Sequence, residues 1–134
     1  MAEPREILER SETIAVVGIA RSLDKPSGGV PAGLQERGFR IVPVNPKADE
    51  ILGERAYATL ADVPDPVDVV EVFRPADEAP EIARQAVAAG AKALWLQLGI
   101  VSDEARRIAE EAGLDFVQDR CMAVESRRYD IRKG

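Results

Sequence analysis

Five short apolar runs, the first and third rich in β-branched residues, each separated from the next by enough chain for a helix, constrain this protein more than any other feature of its sequence. The runs are Thr13-Ile14-Ala15-Val16-Val17-Gly18, Phe39 to Asn45, Val67 to Phe73, Ala93 to Leu98, and Leu114 to Val117. The first is apolar at successive positions, as a parallel strand covered on both faces must be. Between the runs lie helix signals. Glu3 to Arg10 carries Ile7 and Leu8 among charges. A second helix begins between Ser27 and Pro31, with Ser27 as N-cap and Pro31 in the first turn, and ends at Gly38. A third is capped by Asp77 or a neighbour and runs to Ala89; Ser102 with Asp103 opens a fourth, closed by Gly113. Tyr57 to Ala61 reads as one helical turn within a turn-rich stretch, and the tail from Asp119 as irregular or briefly helical.

Strand and helix alternating at this spacing give βαβ units. The expected fold is therefore α/β: a single Rossmann-like, doubly wound domain over residues 1–134, with a mostly parallel five-stranded sheet. Right-handed crossovers suggest the strand order 3-2-1-4-5. In such sheets a ligand sits beyond the carboxyl ends of the strands, so function is sought in a few loops.

Those loops share a character. After strand one come Gly18, Ile19, Ala20, Arg21, then Lys25, Ser27, Gly28 and Gly29; after strand two, Asn45-Pro46-Lys47; after strand three, Arg74. Cations thus recur at three strand ends in a chain of net charge −6. Small residues let backbone amides approach phosphate oxygens, and a following helix N-terminus adds partial positive charge. The pattern suits a polyanionic nucleotide. It does not suit NAD. The fingerprint G-x-G-x-x-G falls on Gly18, Ala20 and Leu23, and Lys47 stands near the place where an acidic residue would receive the ribose hydroxyls. A lysine there attracts a ribose phosphate, which favours coenzyme A or NADP.

Composition excludes more. The chain has no histidine and one cysteine, Cys121, so it has no Ser-His-Asp triad, Cys-His pair, histidine-ligated metal or internal disulfide. An acidic chain opposes duplex nucleic acid and anionic membranes. No apolar run approaches the roughly 20 residues of a membrane span, and residues 1–6 lack the layout of a secretory signal. The expected compartment is the cytoplasm.

The blocks Val16 to Arg21 through Lys25-Pro26-Ser27, Ile41 to Lys47, Tyr57 to Leu60 with Val63-Pro64, Val67 to Arg74, Ala91 to Gly99 and Asp119-Arg120-Cys121 together resemble the small stand-alone CoA-binding proteins. These are similar to the N-terminal CoA-binding domain of the succinyl-CoA synthetase alpha subunit. The resemblance covers roughly residues 13–128. It implies a non-catalytic module that binds coenzyme A or an acyl-CoA, with a protein partner not identified. By position it implies that Gly18, Ala20, Arg21, Lys25 and Ser27 serve the phosphates. Pro43, Asn45 and Lys47 would flank the ribose and its phosphate, and Val72, Phe73 and Arg74 the adenine. The alternatives are an NADP-binding oxidoreductase-like domain and a ligand-free interaction subunit.

Other residues read as structural. Cys121 is expected as a small buried hydrophobe, the usual state of a lone cysteine, rather than a thiol paired with that of coenzyme A. Trp95 belongs to the core. Asp68, near a strand start, caps or pairs. Gln97 lines the pocket or satisfies backbone groups, and Glu71 has no identifiable partner.

Overall fold

The computed structural model describes residues 2–134. In chain order the elements are α1 (Pro4–Arg10), β1 (Thr13–Val17), α2 (Pro26–Glu36), β2 (Arg40–Val44), β3 (Glu50–Ile51), β4 (Glu54–Arg55), a 3-10 turn (Leu60–Asp62), β5 (Val69–Val72), a second 3-10 turn (Ala76–Glu78), α3 (Ala79–Ala88), β6 (Ala93–Leu96), α4 (Asp103–Glu111), β7 (Asp115–Val117) and α5 (Met122–Arg128). Every predicted strand forms. The α/β, Rossmann-like expectation holds: five parallel strands carry helices on both faces.

The strand order is corrected. The sheet runs β2-β1-β5-β6-β7, which in units of the five predicted strands is 2-1-3-4-5 rather than 3-2-1-4-5. Pro43 supplies the reason. In β2 the groups of Val44 face β1, its carbonyl accepting from Gly18 N at 3.2 Å, while those of Pro43 face outward. Pro43 offers a carbonyl there, taken by Tyr57 N at 2.9 Å, but no N–H. A strand with a missing outward donor cannot be flanked by a second full strand, so β2 ends the sheet and the third strand pairs on the far side of β1. Among the described residues, only Tyr57 bridges its outer edge.

One helix start also differs. Lys25, not Ser27, occupies the N-cap of α2, with no side-chain cap, and Pro31 lies inside the helix. Asp77's neighbour Glu78 is the N-cap of α3, within the expected bounds, and makes no side-chain cap because a 3-10 turn leads into the helix. Ser102 caps α4 as expected, its Oγ accepting from Ala105 N at 3.1 Å. The turn-rich stretch contains a small hairpin, β3–β4, that the sequence did not announce. Leu52 and Gly53 both have positive φ, as a primed two-residue turn requires.

Each face of the sheet has its own core. Val70, Val72, Leu94 and Leu96 pack under α3 and α4, whose Ala79, Ala83, Ala86, Ala105 and Ala109 let those helices lie close. Ile14, Val16, Val69 and Trp95 face α1, α2 and α5 through Ile7, Leu8, Leu34 and Met122. Trp95 is fully buried, and its Nε1 donates to the Arg120 carbonyl at 2.9 Å. Asp68 holds the strand starts: its Oδ2 accepts from Glu12 N at 2.8 Å and Thr13 N at 3.0 Å.

Glu71 stands against this pattern. It sits in β5 between Val16 and Trp95, fully buried, and neither carboxyl oxygen has a hydrogen-bond partner among the described residues. Burial alone pushes the Glu71 carboxyl from its ordinary 4.5 up to about 8. A carboxyl with the higher pKa in the folded chain contributes stability that is complete below pH 4.5. That contribution is lost as pH rises through about 8. Chemical denaturation should therefore find the protein roughly 3 kcal/mol less stable at pH 8.5 than at pH 5.5 from this group. Glu71→Gln should flatten that difference, and an unchanged slope in the variant would refute the assignment.

Candidate functional site

At the carboxyl edge of the sheet, the loops open into two clefts. One, of about 490 Å³, is lined by Gly18, Asn45, Lys47, Thr59, Arg74 and Gln85, among others. The other, of about 520 Å³, lies between α2 and α5 and includes Leu23, Lys25, Gln97, Leu98, Cys121 and Arg127. The segment from Gly18 to Lys25 joins them, its first residue in one cleft and its last three in the other.

This segment is held by groups that the sequence leaves free. Pro31 has no N–H to give the carbonyl four residues back, so the Ser27 carbonyl has no helical donor. Ala20 N donates to it instead, at 3.0 Å. Gly28 lets the loop come down. A Cβ there would collide with the Ser22 carbonyl, and one on Gly29 would stand 3.0 Å from the Leu23 carbonyl. On the other side, Asn45 Nδ2 donates to the Ile19 carbonyl at 2.9 Å while its Oδ1 accepts from Lys47 N at 2.8 Å. The Asn45 carboxamide thus ties the loop after β1 to the loop after β2. Gly18 takes φ +86°, and a Cβ on it would meet Arg74 Cδ and the Phe73 carbonyl, each at 2.8 Å.

The cations divide. Lys47 and Arg74 share the first cleft, Lys25 lines the second, and Arg21 is exposed on the joining loop without lining either. Arg74 is engaged by Glu78, its Nε and Nη2 donating at 3.0 and 2.7 Å. These bonds hold the Glu78 carboxyl below its ordinary range and raise the guanidinium further. Arg21, Lys25 and Lys47 form no ion pair among the described residues. Ile19, Pro43 and Val72 are buried, and Phe73 packs against the α2 side of the core, so their side chains line neither cleft. Ala20 and Ser27 are half-buried where the loop docks. Among the described residues, no group of three His, Cys, Asp or Glu could hold a metal ion, and no helix is long and apolar enough to cross a membrane.

Sequence reasoning missed part of each lining. Thr59 and Leu60 follow the Tyr57 bridge, and Glu78, Ile82 and Gln85 reach the first cleft from the start of α3. The second cleft as a whole was not anticipated. Cys121 is half-buried there rather than enclosed, because it stands at the N-cap of α5 and borders the opening.

Residues 12–127 match a family described as CoA binding domain. The chain is 39% identical over 123 residues to the Bacillus subtilis protein YneT, spanning 92% of this chain and 91% of that one. It is 34% identical over 101 residues to acetate–CoA ligase [ADP-forming] II of Archaeoglobus fulgidus, covering 74% of this chain but 15% of that enzyme. A solved Thermus thermophilus structure superposes with a TM-score of 0.90 at 37% identity, over 96% of this chain and 99% of that one.

The docking of the loop on α2 can be tested without a ligand. Gly28→Ala should force the Ser22 carbonyl away and cost about 1–3 kcal/mol in denaturant unfolding. Gly33→Ala, in the same helix with open space around the added Cβ, should cost nothing or stabilise slightly. Equal effects of the two would show that the close approach does not matter.

Proposed function

This chain belongs to the CoA binding domain family, and on that premise we propose that it binds coenzyme A or an acyl-CoA as a non-catalytic nucleotide-binding module. One observation carries the reading. Lys47, free of ion pairs, and the side-chain-uncapped first turn of α2 stand on either side of the Gly18–Lys25 loop. An extended ligand bearing a ribose phosphate and a diphosphate offers charge at both places. The helix start favours the diphosphate through its partial positive charge and the Ser27 N–H, since the Gly28 and Gly29 amides already donate to the Lys25 carbonyl at 3.0 and 2.8 Å, and Lys47 favours the ribose phosphate. The adenosine then occupies the first cleft, where Leu60 and Ile82 give apolar surface and Thr59 and Gln85 give polar groups. The pantetheine arm runs over the loop toward the second cleft.

The Arg74–Glu78 pair gives the first cleft a reserve. Glu78 competes with an anionic ligand for the guanidinium, so part of the cation's attraction is withheld until the pair opens. The reaction named for the acetate–CoA ligase is not carried over to this chain. The absence of histidine removes a phosphohistidine and a histidine base.

Titration calorimetry with CoA, dephospho-CoA and NADPH tests the reading. CoA should bind about tenfold more tightly than dephospho-CoA, as one charge-assisted contact provides, and NADPH more weakly than CoA. Lys47→Ala should bring CoA down to the level of dephospho-CoA. No CoA binding below millimolar would sink the proposal, and an equal response to CoA and dephospho-CoA in the unaltered protein would remove the role of Lys47. Glu78→Gln should tighten CoA about three- to fivefold at low salt by freeing Arg74, an effect that 0.5 M salt should largely erase; this molarity is roughly where screening becomes severe.

A further inference from the structure

The second cleft holds features that binding of the nucleotide does not use. Gln97, immediately beyond β6, is 5% exposed and lines the cleft. Its Oε1 accepts from Met122 N at 3.3 Å, which fixes the carboxamide, while its Nε2 has no hydrogen-bond partner among the described residues. The donor opens on the cleft with no protein group to take it, so an acceptor that enters the cleft can displace water from it. Around it the surface is apolar. Leu98, Leu23 and Val124 are 64%, 62% and 42% exposed, three of the four large apolar side chains that stand open to solvent among the described residues, and all three border this cleft. Lys25 and Pro26 line it too, so it begins where the first turn of α2 ends the phosphate cradle.

We propose that the second cleft receives the acylated end of the ligand. A carbonyl there accepts from Gln97 Nε2, and an aliphatic chain covers Leu23, Leu98 and Val124. The inference rests on the CoA reading above and narrows it: the ligand is a CoA thioester of an aliphatic acid rather than the free thiol. No bond is made or broken, and Gln97 is a positioning residue. The accepting carbonyl belongs either to the thioester or to the neighbouring pantetheine amide, which share the same chemistry toward an N–H donor.

The test is titration of the full chain with CoA, butyryl-CoA and octanoyl-CoA, alongside Gln97→Leu and Leu98→Ser. Octanoyl-CoA should bind about tenfold more tightly than CoA, with butyryl-CoA between them, a modest return for methylenes laid on an open groove. Leu98→Ser, at an exposed position, should cut that preference about threefold. With carbonyl-13C-labelled ligands, the thioester resonance should shift on binding and lose that shift in Gln97→Leu. A shift confined to the amide carbonyls keeps Gln97 as the donor and moves its partner one group along the arm. If Gln97→Leu does not fold, Gln97→Glu at pH 8 retains the acceptor for Met122 N, removes the donor and should abolish the same shift. CoA binding with no gain from the acyl chain overturns this inference and leaves the nucleotide reading standing; binding of neither ligand overturns both. A dimer that dissociates with Leu98→Ser, without any acyl preference, would assign the apolar face to a second copy of the chain and overturn it as well.

Discussion

Pro43 has no amide hydrogen, and it sits in β2 where that hydrogen would face outward, toward any further strand. Because it is missing, β2 closes the sheet, and β5 takes the far side of β1. The winding then reverses at β1, and the loops after β1, β2 and β5 converge at its carboxyl end. Had a strand been added outside β2, Tyr57 could not bridge Val44, and Thr59 and Leu60 would not wall the first cleft. The site therefore exists where it does because a backbone donor is absent.

A second proline acts in the same way at shorter range. Pro31 interrupts α2 and releases the Ser27 carbonyl, which holds Ala20, while Gly28 and Gly29 leave room for the carbonyls of Ser22 and Leu23 above them. The faces of Gly28 and Gly29 that would carry a Cβ are covered by the protein's own loop. The loop is built as part of the helix start, and Asn45 ties its other side to the strand-two loop. A ligand that spans both clefts meets a surface already assembled, so little ordering cost is added on binding.

Much of this was legible in the sequence. The five strands, the fourth helix with its Ser102 cap, the burial of Trp95 and the bracing role of Asp68 follow from periodicity and polarity that local physics enforces. The strand order was not read, although Pro43 carried the signal, because right-handed crossovers alone allow either arrangement. The start of α2 was misplaced because Ser27 is a good cap in general, whereas the chain uses its backbone carbonyl rather than its hydroxyl. The committed carboxamide of Asn45, the pairing of Arg74 with Glu78 and the second cleft depend on how separate elements meet in space, which spacing along one chain does not encode.

The central claim is that one ligand occupies both loops at once, across a cradle formed by the starts of α2 and the strand-two loop. Hydrogen exchange with and without saturating CoA tests it most directly. The account predicts slowed exchange in Ala20–Gly29 and in Asn45–Leu60 together, at the same ligand concentration, with the strand starts near Asp68 unchanged. Protection confined to one of these segments, or spread over the opposite edge of the sheet, would contradict it.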